Sequence, residues 1–174
     1  ETYMTRELLP YIDKNYRTIA SREGRAITGL SMGGQGAFFL AFRHLDLYGA
    51  CASMSGGVDI QSFPSSWYME SKLGSQAEYP ERWEEFCVMN QLYRLKPTSI
   101  RILFDCGTSD FFYPMNQRLH EQMVYRRIEH DFISRPGGHT WDYWTNSIKF
   151  QLVFFDNYFQ DMAAAAKKEA EKAK

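Results

Sequence analysis

Apolar positions along this chain fall into short runs, and the spacing within each run predicts the element it forms. In TRELLPYIDKNY, Leu8, Leu9, Ile12 and Tyr16 lie among charges at helical spacing. Pro10 interrupts that face, so an early-turn position or a kink is expected there. After SREG, RAITGL reads as a short strand, and MGGQGAFFLAFRH as a helix whose Phe38, Phe39, Leu40 and Phe42 need burial. LYGACASMS holds the next strand. Between Gly56 and Pro97 the pattern weakens into loop, with one helix that Pro80 can open. SIRILFDCG is the clearest strand. MNQRLHEQMVYRR reads as a helix, IEHDFISRPGG as a strand and turn, and WDYWTNSIKFQLVFFDNYFQ as a long helix.

This alternation is the α/β pattern, a mostly parallel sheet covered by helices on both faces. Residues 1–160 are expected to form one domain, with an excursion at about 56–98 on the substrate side. The tail at 161–174, AAAAKKEAEKAK and its approach, is rich in helix formers without an apolar face. It extends the last helix or frays. RAITGL as the first strand leaves an apolar edge that needs cover. The domain is therefore expected to lack strands at its front, supplied by an N-terminal segment or another chain.

Composition narrows the function classes. The 174 residues are 44% hydrophobic and 16% aromatic, enough for a core. Twenty basic residues against 21 acidic ones give a net charge of −1, and no basic patch favours nucleic acid. No apolar run is long enough to span a bilayer. The chain starts at Glu1, so the lack of a leader carries no information on export. Cys51, Cys87 and Cys106 are odd in number and widely spaced, which argues against a disulfide framework and a zinc site. Cys51 and Cys106 read as small buried hydrophobes. No metal or cofactor is expected.

The candidate chemistry starts at Gly29-Leu30-Ser31-Met32-Gly33, a G-x-S-x-G match. Chance alone produces one in roughly a few per cent of chains this size. Its context adds weight, because a strand ends at Leu30 and a helix begins just after Ser31. That is the strand-turn-helix in which a strained nucleophile projects above a sheet. Gly29 and Gly33 remove side chains where the chain doubles back, and the helix N-terminus offers free N–H groups to an oxyanion. The competing reading is a glycine-rich turn that only packs a helix closely on the sheet. A dinucleotide fingerprint and a phosphate-binding loop both fail on spacing, and the latter also on its lysine.

A serine nucleophile needs a base, and the base an acid to orient it. His44, His120 and His130 sit on helix ends, helix surface and a charged strand start, and read as structural or exposed. His139, in RPGGHTWDYW, lies on a glycine-loosened loop after a strand and before a helix, where it can reach over the sheet's C-terminal edge. LFDCGTSDFFY offers two acids. Asp105 lies at the strand end and can merely terminate it, whereas Asp110 lies five residues later on the loop and can turn toward His139. The order Ser31, Asp110, His139 is that of α/β-hydrolases.

On these residues the chain resembles the esterase D family of α/β-hydrolases, which includes S-formylglutathione hydrolases, short-chain acyl, feruloyl and acetyl xylan esterases, and mycolyltransferases. The stretches that carry the resemblance are ELLPYIDKNY, GRAITGLSMGGQGAFFLAFRHLDLYGACASMSG, ILFDCGTSDFF and PGGHTWDYW, spanning Glu7 to about Phe159. The resemblance implies Ser31 as nucleophile, Asp110 as acid and His139 as base, with the N–H of Met32 as one oxyanion donor. It also implies a second donor on a loop after an earlier strand, and several strands before ELLPYID. This chain is thus expected to be the C-terminal part of a catalytic domain, weak or inactive in isolation. Leu45 stands where the family commonly has a proline, which implies a loop-packing change.

The implied reaction is ester hydrolysis through an acyl-serine. Phe63, Trp67, Tyr68 and Met69 in the excursion, with Trp141 beside His139, are candidates to line an acyl or aromatic pocket, or else a satellite core under a long loop. The resemblance implies a small-molecule or carbohydrate-linked acyl or feruloyl ester as the expected substrate. Such a carbohydrate esterase would be secreted or periplasmic, whereas a formylglutathione hydrolase would be cytoplasmic. An acyltransferase with the same triad and a non-catalytic binding module are the remaining alternatives.

Overall fold

The computed structural model describes residues 1–173. A π-helical stretch, Tyr3–Leu8, runs directly into α1, Leu9–Asn15. Pro10 is the second residue of α1, but the chain before it is already helical, so its missing N–H falls where the π-helical stretch gives way to α-helix rather than at a free helix start. Strand β1 is Ala26–Ile27, followed by α2, Met32–Arg43, and β2, Ala50–Met54. The excursion carries α3, Glu70–Leu73, and α4, Pro80–Phe86, between 3₁₀ turns at Ile60–Ser62 and Met89–Arg94. Then come β3, Arg101–Gly107, α5, Tyr113–Tyr125, β4, Asp131–Arg135, and α6, Trp141–Lys172.

All three strand pairings are parallel, in the order β1-β2-β3-β4. β1 is shorter than RAITGL suggests. It has one strand partner, and after Ile27 the chain pairs again with β2 only at an isolated bridge between Leu30 and Met54. Its outer side faces an apolar groove lined by Leu8, Leu9, Ile12, Ile19 and Ile27. This is a partial α/β-hydrolase sheet.

The two-residue period of β3 sorts its side chains between two helical layers. Ile102, Phe104 and Cys106 join α2 and α5 in the main core, with Phe38 edge-on to Phe104 at 5.9 Å. Val88, Leu92 and Leu95 bring the end of the excursion into the same cluster. On the opposite face Asp105 meets α6. Cys51, Cys87 and Cys106 are all buried and free, and burial raises each thiol's pKa, that of Cys87 to about 11. Along α6 the buried residues Tyr143, Trp144, Ser147, Gln151 and Tyr158 fall on one stripe. Beyond them the helix continues through the exposed alanine-rich tail to Lys172, the extension allowed by its composition.

The parallel arrangement puts the C-terminal ends of β2, β3 and β4, and the turn before α2, along one edge of the sheet. Loops from these ends carry Ser31, Asp110 and His139.

Candidate active site

Ser31 occupies the turn between Leu30 and α2 with φ 54° and ψ −120°. A non-glycine residue held there costs about 1–3 kcal/mol, a strain that recurs at nucleophilic turns. The conformation is clamped from both sides, because Ser31 N–H donates to Met54 O (2.9 Å) and Ser31 O accepts from Gln35 N–H (3.1 Å). The turn closes so tightly that a Cβ on Gly29 would lie 2.4 Å from the carbonyl carbon of Gly33. Only glycine permits that approach. Met32 is the first residue of α2, so its N–H has no acceptor within the helix and lies next to the serine.

A second glycine brings the other two loops together. A Cβ on Gly107 would meet Gly137 O at 2.3 Å. Without it, Thr108 N–H reaches Arg135 O (2.8 Å) and Ser109 N–H reaches Gly137 O (2.8 Å), tying the loop after β3 to the loop after β4. Asp110, 4% exposed, is fixed by its own backbone. Its Oδ1 accepts from Phe112 N–H (2.8 Å) and its carbonyl from Tyr113 N–H (2.9 Å). This leaves Oδ2 directed at His139, 2.8 Å from Nδ1.

His139 Nε2 is 2.9 Å from Ser31 Oγ. A carboxylate only accepts, so the Nδ1 proton belongs to the bond with Asp110, and the Nε2 lone pair faces the serine hydroxyl. Phe111 lies 4.5 Å from the imidazole centroid, and Trp144 and Phe112 meet it edge-on at 4.8 and 5.3 Å. The ring is therefore held by packing as well as by hydrogen bonds. Ser31, His139 and Asp110 together have the geometry of a Ser-His-Asp triad, capable of activating a hydroxyl for acyl transfer.

The other histidines lie elsewhere. His44 Nε2 pairs with Glu1 (2.6 Å), and His120 Nδ1 lies 2.8 Å from His130 Nε2. Burial, with a contribution from His120, holds His130 below its ordinary pKa. Asp105, the rival acid, points to the opposite face of the sheet. It is fully buried, accepts from Ser147 Oγ and from Gln151 Nε2 (3.0 Å), and lies 3.3 Å from Arg135 Nη2. It does more than end a strand, because it ties β3 to β4 and α6. Asp105→Asn strands a buried guanidinium, so a loss of about 3–5 kcal/mol of stability is expected in a denaturant titration.

Of the suggested pocket residues, Phe63, Trp67 and Met69 do line one small cavity, with Met32, Gly57, Ile60 and Phe112. Tyr68 does not. It is 86% exposed and faces away. Trp141 is exposed at the head of α6, edge-on to Trp144 at 5.4 Å. Phe111 and Trp144, which pack on His139, and Phe112, which packs on it and also lines the cavity, are not singled out by the sequence reading, although both phenylalanines directly follow Asp110.

Comparisons with known proteins place the sequence and the fold. The Esterase family model matches residues 1–155. The chain is 39% identical over 162 residues to the Mycobacterium tuberculosis protein named Esterase Rv1288, a match covering 80% of this chain and 36% of that protein. It thus spans about a third of that relative's length. A ferulic acid esterase structure superposes with a TM-score of 0.76 at 30% identity, over 91% of this chain and 61% of that one. The Staphylococcus aureus fluorophosphonate-binding serine hydrolase F has a TM-score of 0.74 at 22% identity, over 85% of this chain and 60% of that one, a likeness of fold. By sequence, fold and the meeting of its three loops, this chain belongs to the Esterase family of α/β-hydrolases.

Proposed function

We propose that the protein containing this chain is a serine carboxylic-ester hydrolase in which Ser31 is the nucleophile, His139 the general base and Asp110 the acid that orients it. The observation that carries this reading is the unbroken relay from Asp110 Oδ2 through His139 to Ser31 Oγ, at 2.8 and 2.9 Å. As Oγ attacks the ester carbonyl, the hydroxyl proton passes to His139 Nε2 and the carbonyl becomes an oxyanion. Met32 N–H stabilises that oxygen, a contribution of about 3–4 kcal/mol for one such donor. His139 returns the proton to the leaving oxygen as the carbon–oxygen bond breaks. Water then attacks the acyl-serine by the reverse steps, releasing the acid and restoring Ser31.

Esters of small acyl groups and feruloyl esters, free or carried on carbohydrate, are the substrates this site suits. The aromatic wall of Phe63, Trp67 and Phe112 and the similarity to a ferulic acid esterase support the aromatic acyl group. The same triad also serves an acyltransferase when an alcohol replaces water. Product analysis of the full-length protein, with and without an acceptor alcohol, separates the two. Hydrolysis yields free acid in equal measure under both conditions. Diversion of most acyl groups into a new ester of the acceptor would replace the hydrolase reading with transfer.

A further inference from the structure

The segments that carry Ser31 and His139 meet at the triad, and they are joined a second time behind it, through α6. That helix opens at Trp141, two residues after His139. Thr140 caps it by accepting from Tyr143 N–H (3.4 Å), so the step from the histidine into the helix is short and fixed. Further along, Ser147 and Gln151 stand one turn apart on the buried stripe. Both are fully buried, and both donate to the Asp105 carboxylate.

Gln151 makes one contact more. Its amide nitrogen donates to Asp105 Oδ2 (3.0 Å), and its amide oxygen accepts from the hydroxyl of Thr28. A carboxylate only accepts, so an amide, which carries a donor and an acceptor, is suited to join it to a hydroxyl that donates. Thr28 lies where β1 has ended at Ile27 and pairing with β2 resumes at Leu30. Ser31 follows three residues later. On the β2 side this segment is held by Met54, whose N–H donates to Gly29 O and whose carbonyl accepts from Ser31 N–H, both at 2.9 Å. On the α6 side it is held by Gln151.

The result is a closed circuit. Ser31 Oγ reaches His139 Nε2 directly, at 2.9 Å. The same two residues are joined the other way round, from Ser31 back to Thr28, across to Gln151, and along α6 to Thr140 and His139. A helix fixes such a span more firmly than a loop does. Asp105 adds a second tie on the histidine side, because Arg135, four residues before His139, lies 3.3 Å from its Oδ1. The elbow and the histidine loop are thus both referred to one face of α6.

Resting on the assignment of Ser31 as nucleophile and His139 as base, we propose that Gln151 is a positioning residue for that pair, acting through Thr28. Neither side chain touches the reacting atoms. Their bond sets how far the elbow stands from the histidine loop. Proton transfer needs the serine hydroxyl within hydrogen-bond reach of Nε2, and catalytic groups tolerate misplacement of only about 0.5 Å. The Met32 N–H and the aromatic side chains around His139 lie outside the circuit. The brace therefore acts on kcat and leaves KM.

The test compares full-length wild type with Thr28→Val, Gln151→Met, the double variant and Thr28→Ser. Its readouts are kcat and KM on p-nitrophenyl acetate, expressed per active site counted with a small fluorophosphonate, and the rate of that labelling. Thr28→Val and Gln151→Met are each expected to lower kcat and the labelling rate about tenfold, with KM within about twofold of wild type. The double variant loses no more than about twofold beyond Gln151→Met, because both changes remove one interaction. Thr28→Ser keeps the hydroxyl and holds kcat within about twofold. Thr28 is exposed, so its valine variant decides the matter should Gln151→Met fail to fold. A shifted melting temperature with kcat per active site unchanged would reduce the brace to a stability role and overturn the proposal, as would losses that multiply in the double variant. Absence of both labelling and turnover in the wild type would instead strike the hydrolase assignment, and the brace with it.

Discussion

Replacing Ser31 with alanine is expected to lower kcat for ester hydrolysis by about 10⁴–10⁶-fold, the range seen when the nucleophile of a triad is removed. Among the described residues no other hydroxyl is hydrogen-bonded to His139 Nε2, whose partner is Ser31 Oγ. KM should change little, because the Met32 N–H and the aromatic side chains around His139 are left intact. Alanine keeps the Cβ, so the backbone meets the same strain at φ 54° as serine does. A Tm within about 2–4 °C of wild type is therefore expected, equivalent to roughly 1 kcal/mol in a chain of this size. Steady-state kinetics and a thermal melt on the same preparation check both halves. A large loss of activity with an unchanged melt separates removal of the chemistry from disruption of the fold.

Asp110→Asn is the second large effect, a fall in kcat of about 10⁴-fold. Asparagine preserves the shape of the carboxylate and can keep its oxygen on Phe112 N–H, the bond now made by Oδ1. Its amide nitrogen then faces His139 Nδ1 in place of Oδ2. An amide N–H donates, so Nδ1 must accept, and the single imidazole proton moves to Nε2. The ring then presents a donor to Ser31 where the reaction needs an acceptor. The loss appears in kcat and in the rate of fluorophosphonate labelling, with substrate binding largely retained. A variant at Asp105 provides the contrast. That carboxylate faces Arg135, Ser147 and Gln151 across the sheet from the triad, so its loss acts on stability.

The order of elements was legible because the apolar runs are short and each keeps its period. The strand ACASM and the strand RILFDCG are buried nearly throughout, as continuous apolar runs in a parallel sheet should be. RAITGL was the least faithful, since a run of strand-forming residues does not say where pairing stops. Its pairing depends on β2, which it meets at Ala26, Ile27 and again at Leu30. Ser31, Asp110 and His139 could be named in advance because each follows a strand and carries its own local signal: a glycine elbow, an acid on a loop, a histidine after two glycines. The pocket could not be read in the same way. Phe63, Trp67 and Tyr68 look alike in the sequence, and only the backbone turn at positions 67 and 68 sends one indole inward and one phenol out. Asp105 was hidden for a similar reason, because its partners Ser147 and Gln151 lie more than 40 residues away on α6.

The most direct measurement is mass spectrometric mapping of a fluorophosphonate adduct on the full-length protein. The account predicts one modified residue within this chain, Ser31, and a labelling rate that collapses in His139→Ala, because the hydroxyl then has no base at 2.9 Å. Modification of a different serine, or undiminished labelling of Ser31 without His139, would contradict it.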